Sequence, residues 1–460
     1  MLSEKSHRFI VFLGTISYLM TILYLIENFF HNEALLFTYS IFGAILLVSS
    51  LLFISNVNRV IVVTLLFIGS ICFYIEGASI TIAITAFGAN TNVLSLFLLI
   101  PLIGTFMSTA GYLLVLKEKV QEKERKGRQH PYRLSYFLTA SIGIILNYGS
   151  IAIVKRIAEE SFSSYKDKKL TLNIMRAFGF CMLWSPYFVN VGLILVLFDL
   201  SWFDIGFYGL ILAMISVFIS WMMFRKISFK DDSTIENIES VSSHHPSQSL
   251  VPFISFCVVL ISLSFILDYL LDVNMLTVVS LIALIFPFVW GVFTRVVKSY
   301  IHDVVTLVEN SFLRLKNELA VFISAGFFGV ALSQTQFGTA ISAVLFDVSF
   351  GSVYLLSFLI VILAIVLAQI GIHPIIIVIG IGSSLSPEKF GVSPEYMALV
   401  LLIAWATSTQ MSPFSGQVLL ASNLIKKPPT EIVKQNYHFA LILAVVLTTV
   451  IYGILVIGWL

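Results

Sequence analysis

The chain has 460 residues, of which 58% are hydrophobic and 11% are charged, and its mean hydropathy is +0.98. This composition excludes an ordinary soluble globular protein and predicts an all-α polytopic membrane protein. The formal net charge of +2 gives no reason to expect nucleic-acid binding. The three cysteines have neither disulfide nor metal-site spacing, so we expect no resident metal or organic cofactor.

Apolar runs that are long enough to cross a bilayer recur from end to end of the chain. The predicted crossings of the first half are residues 9–26, 34–54, 60–88, 92–116, 176–198 and 203–224. Those of the second half are residues 251–271, 275–293, 319–345, 395–424 and 437–459. We therefore predict eleven transmembrane helices, divided into an N-terminal helix (1–33), a first repeat (34–224), a polar cytoplasmic linker (225–250) and a second repeat (251–460).

Two further apolar segments do not fit a single crossing. Residues 134–155 lie between two basic loops, which the positive-inside rule places on the same side of the membrane. Residues 353–384 are longer than one span needs. We predict that both are re-entrant hairpins, with Asn147, Tyr148 and Gly149 near the tip of the first. Residues 300–318, which mix charged and apolar side chains at helical spacing, predict an interfacial amphipathic helix.

The basic residues test this topology. Of the 27 lysines and arginines, all except Lys389 fall in predicted cytoplasmic loops or at cytoplasmic helix ends. The prediction is therefore a multi-pass protein of the cell membrane, in contact with the lipid bilayer, with its N-terminus in the cytoplasm and its C-terminus outside.

The fifth and tenth predicted helices share a pattern that would interrupt a membrane helix. Ser185-Pro186 and Ser412-Pro413 lie 227 positions apart, and an amide follows each proline by four residues (Asn190 and Gln417). Proline removes a backbone donor, so the helix breaks there. Because the two helices run in opposite directions, we predict two inverted-topology repeats, with a binding site where they meet near the membrane centre.

Each break can be a simple proline kink or half of an ion and substrate site. Freed backbone carbonyls, hydroxyls and amide oxygens suit sodium, and the N-termini of half-helices suit an anion. We favour the second interpretation.

With these features the chain resembles the ion transporter superfamily, and in particular its divalent anion/sodium symporter group. The resemblance covers nearly the whole chain: eleven helices, one hairpin in each half and broken fifth and tenth helices. It implies sodium and substrate sites at the hairpin tips and breaks, an elevator motion against a scaffold, and a homodimer. The Ser-Asn-Thr motif of dicarboxylate symporters is absent from both tips, so a dicarboxylate substrate does not follow.

The resemblance assigns the site residues by position. One half-site would contain Asn147, Tyr148, Gly149, Ser150, Ser185, Pro186 and Asn190. The other would contain His373, Pro374, Ser383, Ser384, Thr409, Ser412, Pro413, Ser415 and Gln417. Sodium would be held at Asn147, Ser185 and Ser412.

Three ionisable residues lie inside or beside predicted crossings. Glu76 is either buried and suited to proton coupling or located where the third span ends. His373 is either a packed neutral side chain or a substrate or proton-coupling group. We interpret Arg176 as a side chain that extends to the cytoplasmic interface, in preference to a substrate contact.

The sequence thus predicts a secondary active transporter, and not an enzyme, that moves a small anionic solute together with sodium or protons. A sodium/proton antiporter of the same superfamily is the alternative, although it needs an intramembrane carboxylate and Glu76 is the main candidate. A lipid-linked glycan flippase or polymerase is less favoured because the predicted external loops are short.

Overall fold

The computed structural model describes residues 4–127, 130–229, 231–236, 249–382, 385 and 387–460. In these ranges the chain is almost entirely helical, with one pair of three-residue strands. Ten helical stretches are long and apolar enough to cross a membrane, and Val353–Gln369 is a shorter apolar helix. The prediction of an all-α polytopic membrane protein is therefore confirmed. That the predicted hairpins turn back within the bilayer stays a prediction.

The chain forms two compact units. Unit 1 comprises Met1–Ala110, Val259–Leu345 and Ile379–Ser386, and unit 2 comprises Gly111–Val258, Phe346–Val378 and Pro387–Leu460. The helices of the first unit are α1 (Glu4–Phe30), α2 (Glu33–Ser50), α3 (Asn56–Ile75), α4 (Ile80–Thr85), α5 (Thr91–Thr109), the later part of α12 (Val251–Leu270), α13 (Met275–Phe293), α14 (Val297–Glu309), α15 (Ser311–Ser333) and most of α16 (Phe337–Val348).

Unit 2 contains the first predicted hairpin segment, residues 353–378 of the second, and both predicted broken helices. Its helices are α6 (Tyr112–Arg125), α7 (Pro131–Leu146), α8 (Gly149–Ser161), α9 (Asp167–Cys181), α10 (Val189–Leu197), α11 (Trp202–Met223), α17 (Val353–Gln369), the first part of α18 (Pro374–Gly382), α19 (Pro394–Met411), α20 (Gly416–Ile425) and α21 (Pro429–Val456). Unit 2 also contains strands β1 (Ser164–Lys166) and β2 (Thr234–Glu236) and 3-10 turns at Phe224–Lys226 and Pro387–Phe390. A third 3-10 turn, Ala86–Gly88, belongs to unit 1.

Several helix ends differ from the prediction. The third helix ends at Ile75, because Gly77 adopts a left-handed conformation (φ +64°) and the Ser79 side chain caps α4. The predicted amphipathic helix is likewise interrupted: α14 ends at Glu309, and the following residues begin α15. The predicted fifth crossing is divided into α9 and α10, each too short to span a bilayer alone.

The core of unit 1 forms where α3 packs along α15. The ring of Phe327 on α15 contacts Phe73 edge-on at 5.2 Å and stacks with Phe87 at 4.6 Å. The Asn90 amide nitrogen also donates to the carbonyl of Phe322, at 3.0 Å. These contacts hold the start of α5 against α15. They do not involve the two Ser-Pro segments, which belong to unit 2.

Packing in unit 2 relates its two halves. Helix α7 packs on α9, and α17 packs in the same way on α19. The second half of each broken helix packs on the first half of the other, α10 on α19 and α20 on α9. Such reciprocal contacts are what an approximate two-fold relation between the halves requires.

The start of the predicted linker is attached to unit 2. Strand β2 pairs antiparallel with β1, and the Asp232 carboxylate accepts hydrogen bonds from the backbone N–H groups of Lys168 and Lys169, both at 3.0 Å. Hydrogen bonds from Lys168 and Lys427 lower the pKa of Asp231 to about 2. The N-terminus of α9 is therefore capped by the Asp232 carboxylate, an arrangement that the helix dipole favours.

Candidate functional site

The two Ser-Pro breaks have matching hydrogen bonds. The hydroxyl of Ser185 donates to the carbonyl oxygen of Ile144 near the end of α7, at 3.0 Å. The hydroxyl of Ser412 donates to the carbonyl oxygen of Ala368 near the end of α17, at 2.7 Å. Each serine thus ties its break to the helix that precedes the hairpin tip of the same half.

The backbone of each break also follows the same course. The N–H of Tyr187 donates to the Ser185 hydroxyl at 3.3 Å, and the N–H of Phe414 donates to the Ser412 hydroxyl at 3.2 Å. In both breaks the proline supplies no donor, and the serine side chain replaces backbone bonds that the helix would otherwise make. Pro186 and Pro413 therefore occupy equivalent positions, as their spacing of 227 residues predicts.

Carbonyl groups next to the breaks have partners within the chain. Asn190 donates its amide N–H to the Met182 carbonyl at 2.6 Å, and Ser415 donates its hydroxyl to the Thr409 carbonyl at 2.6 Å. Met182 and Thr409 are themselves 227 positions apart, and the Thr409 hydroxyl lies 3.8 Å from the Met182 sulfur. Equivalent residues that touch each other lie where the two halves meet.

Gln417 differs from this pattern. Its side chain is fully buried, and neither its amide oxygen nor its amide nitrogen has a hydrogen-bond partner among the described residues. A buried polar group without a partner costs about 1–3 kcal/mol. Gln417 is the second residue of α20, at the helix end that carries the positive end of the dipole. Such a group in a native structure requires an explanation, and a bound ion or ligand is one.

The tip of the first hairpin segment contacts the second break. Asn147, between α7 and α8, has φ +51°, and its carbonyl accepts a 2.7 Å hydrogen bond from the Ser150 hydroxyl. The Tyr148 ring stacks on Phe178 at 5.0 Å and lies so close to Gly416 that an added Cβ would be 3.3 Å from it. Gly149 is exposed and begins α8.

The second hairpin segment is divided between α17 and α18. Gly371 has φ +98° and lies against the ring of Phe414. The half-buried His373 accepts a 3.3 Å hydrogen bond at Nδ1 from the N–H of Ile375, and Pro374 is the first residue of α18. Ser383 and Ser384 lie outside the described residues.

Unit 2 therefore holds every described residue assigned to the two half-sites, whereas Glu76 belongs to unit 1. Glu76 is the exposed C-cap of α3, so the alternative in which the span ends there agrees with the structure. The burial on which its role in proton coupling depended is not found.

Arg176 was misjudged from the sequence. Its side chain does not extend to an interface: it is 3% exposed, and its Nε donates to the Asn436 side-chain oxygen at 2.9 Å. The guanidinium also lies 4.3 Å from the centre of the Phe439 ring, and its Nη1 has no hydrogen-bond partner among the described residues. The prediction that it would extend to the cytoplasmic interface is wrong, because neutral partners on α21 hold it inside.

Asn436 extends this polar cluster to the second break. Its amide nitrogen donates to the side-chain oxygen of Gln410 at 2.9 Å, one residue before the end of α19. Within the described residues this buried cation contacts an amide and an aromatic ring and forms no ion pair, so it attracts an anion. The signal in the sequence was a charged residue at the start of a predicted crossing, whose counterpart 227 positions later is the apolar Ile403.

The chemistry available at the breaks is that of neutral oxygen donors. No group of three or more His, Cys, Asp or Glu residues that could hold a metal occurs in the part of the chain that the structure describes. Hydroxyl, amide and carbonyl oxygens are ligands for hard cations such as sodium. Sodium at Asn147, Ser185 and Ser412 stays a prediction.

Comparison with known proteins gives a fold and no family. No family model matches the sequence, and no curated protein matches it. The chain is similar to the crystal structure of the YdaH transporter of Alcanivorax borkumensis, which is described as having an unusual topology, with a TM-score of 0.55 over 81% of this chain and 86% of that chain. The two sequences are 13% identical, so the similarity shows a shared fold alone. This chain has the fold of a membrane transporter of known structure.

Proposed function

We propose that this chain is a secondary active transporter of a small anionic solute across the cytoplasmic membrane, coupled to sodium or protons. The observation that carries the proposal is the buried amide of Gln417 without a partner, beside two matched Ser-Pro breaks in one compact unit. The side chains of Ser185, Asn190, Ser412 and Ser415 all donate to carbonyl groups of the chain, whereas the Gln417 amide and Arg176 Nη1 have no hydrogen-bond partner among the described residues. The Gln417 amide is therefore available to a transported species.

Two features support an anion as the solute. The N-terminus of α20 carries the partial positive charge of a half-helix. Arg176 adds a full charge that is buried with neutral partners, near Gln410 at the end of α19. An anion that binds near these groups would offset the cost of burying the guanidinium.

The division of the chain supports alternating access of the elevator type. All described site residues lie in unit 2, so one compact unit can carry the site while the other serves as the scaffold. We expect the N-terminus in the cytoplasm, the C-terminus outside and a homodimer as the working assembly. The similarity in fold to a solved transporter is consistent with this mechanism.

The main test is flux in proteoliposomes that contain the purified chain. Small organic and inorganic anions are offered under an imposed sodium gradient, an imposed proton gradient or neither. We expect uptake of at least one anion above that of empty liposomes, and accumulation driven by one of the two gradients. Absence of anion uptake together with sodium-driven proton movement would favour the antiporter alternative. Absence of both would refute the transport proposal.

Thiol accessibility tests the inverted arrangement independently of the substrate. Asn147→Cys and His373→Cys are introduced separately into a variant in which Cys72, Cys181 and Cys257 are replaced by serine. A membrane-impermeant thiol reagent should reach the first from the cytoplasmic face and the second from the external face. Lys123→Cys, in an exposed basic stretch, is the control for the cytoplasmic face. Labelling of both tips from the same face would contradict inverted hairpins.

A further inference from the structure

Unit 2 contains a polar cavity that the transport site does not use. It has a volume of about 500 Å³ and is framed by β1, β2 and the start of α9. Lys166, Lys169, Arg225 and His130 line it, and Asp232 is the carboxylate among its lining residues. Three basic side chains, Lys166, Lys169 and Arg225, outnumber Asp232, whose carboxylate also accepts two backbone hydrogen bonds.

A second, longer cavity of about 1050 Å³ runs between α7, α9 and α11. Arg133 and Arg225 stand at one end, and neither has an ion-pair partner among the described residues. Its walls are mainly apolar and aromatic, and several of these side chains are exposed on the surface: Phe137, Met214, Trp221 and Met222. The far end reaches Ile144 and Trp184.

The two cavities meet at shared residues. His130, Tyr132, Phe224 and Arg225 line both. The junction is held in place because the Tyr132 hydroxyl accepts a hydrogen bond from the N–H of Lys166 at 2.8 Å, and the Tyr132 carbonyl accepts one from Asn173 at 2.8 Å. A basic polar chamber thus adjoins a long apolar groove, with these side chains between them.

The dimensions of this pair of cavities match one leaflet of a bilayer. From Arg133 to Ile144, the groove follows α7 for about 17 Å at 1.5 Å per residue. Half of a hydrocarbon core is about 15 Å thick. If the groove lies along the membrane normal, its charged end is at the interface and its apolar walls extend through one leaflet.

We propose that these joined cavities bind an anionic phospholipid of the cytoplasmic leaflet. The phosphate lies with Arg133, Arg225, Lys166 and Lys169, and an acyl chain fills the groove along α7. Basic pockets between membrane helices on the cytoplasmic side are suited to anionic headgroups. This site goes beyond the proposed transport activity. It does touch the transport machinery, because Ile144 accepts the hydrogen bond of Ser185 and Trp184 precedes that serine.

The test is native mass spectrometry of the purified full-length chain, titrated with phosphatidylglycerol or with phosphatidylcholine of the same acyl chains. We expect phosphatidylglycerol to bind at least tenfold more tightly. Arg133→Gln combined with Arg225→Gln should remove that preference. Lys123→Gln combined with Arg125→Gln removes the same charge from exposed residues that form no ion pair within the described part of the chain, and it should leave the preference intact.

A second variant separates the groove from the charges. Ser141→Trp places a large ring on the α7 wall without changing any charge, and it should lower phosphatidylglycerol binding at least threefold. Equal binding of the two lipids by the unmodified chain would overturn the proposal, even if a variant failed to fold. So would an equal loss in the Lys123/Arg125 control. Full displacement of the lipid by an equimolar amount of free glycerol phosphate would show a site for soluble anions instead.

Discussion

The two Ser-Pro breaks follow the same backbone course, but their polar side chains differ in the hydrogen bonds that they form. In the first, Asn190 donates to the Met182 carbonyl and leaves that carbonyl satisfied. In the second, Ser415 performs this task, and the equivalent amide of Gln417 is buried without a partner. The first half contributes the buried cation Arg176, where the second half has Ile403. The two breaks therefore match in backbone course, while their polar side chains differ in charge and in hydrogen bonding.

Removal of the buried cation should have the largest effect. If Arg176 provides the charge that an anion meets, Arg176→Gln loses a charged hydrogen bond that contributes about 1.5–3 kcal/mol, which is roughly a tenfold to hundredfold change. We expect anion uptake in proteoliposomes to fall by that factor. Arg156→Gln is the control, since Arg156 is an exposed arginine of α8. Unchanged uptake after Arg176→Gln would show that the difference in charge between the two halves plays no part in anion transport.

Replacing the amides of Gln417 and Asn190 should change the free energy of unfolding in opposite directions. Gln417→Met removes a buried group without a partner, so we expect the free energy of unfolding to rise by about 1–3 kcal/mol while anion uptake falls, by less than after Arg176→Gln. Asn190→Met instead leaves the Met182 carbonyl without its donor and should lower stability by about the same amount. Thermal unfolding in detergent and uptake in proteoliposomes measure the two effects. If Gln417→Met destabilises the chain and leaves uptake unchanged, the amide is a packing group and the proposed site is wrong.

Alanine at Ser185 and at Ser412 should change the stability of the chain by similar amounts, because the two breaks follow the same backbone course. Ser185→Ala and Ser412→Ala each remove one hydroxyl donor, from the carbonyl of Ile144 or from that of Ala368, which also accepts from the N–H of Gly371. We expect each to lower the free energy of unfolding by about 0.5–1.5 kcal/mol, the net contribution of one hydrogen bond. Ser333→Ala, at an exposed serine that bonds only within its own helix, is the matched control. A marked difference between the two variants would show that the breaks are not structurally equivalent.

Composition and residue spacing predict the membrane-protein class and the positions of the two breaks. Hydropathy identified the polytopic class, and the spacing of Ser185-Pro186 and Ser412-Pro413 located both breaks, because proline interrupts a helix wherever it lies inside one. The partner of a side chain depends on which helices pack together, and spacing does not encode that. Arg176 was therefore taken for an interfacial residue, since Asn436 and Phe439 lie 260 or more positions away. The sequence did not decide whether Glu76 is buried, because its exposure depends on where α3 ends, and that depends on the left-handed conformation of Gly77.

A pair of glycines gives the smallest and most local test of the comparison. Gly149 and Gly416 are both the first residue of a half-helix, so alanine gains the same helix propensity, up to about 1 kcal/mol, at each. An added Cβ meets nothing within 4 Å at Gly149, whereas at Gly416 it lies 3.3 Å from the Tyr148 ring. We expect Gly149→Ala to be neutral or slightly stabilising, and Gly416→Ala to be less stable than it by about 1 kcal/mol, the cost of moving a side chain off its rotamer. Combining Gly416→Ala with Tyr148→Leu should remove the difference, because the flexible leucine can yield. If the difference persists, the contact between the first tip and the second break does not limit the position of α20.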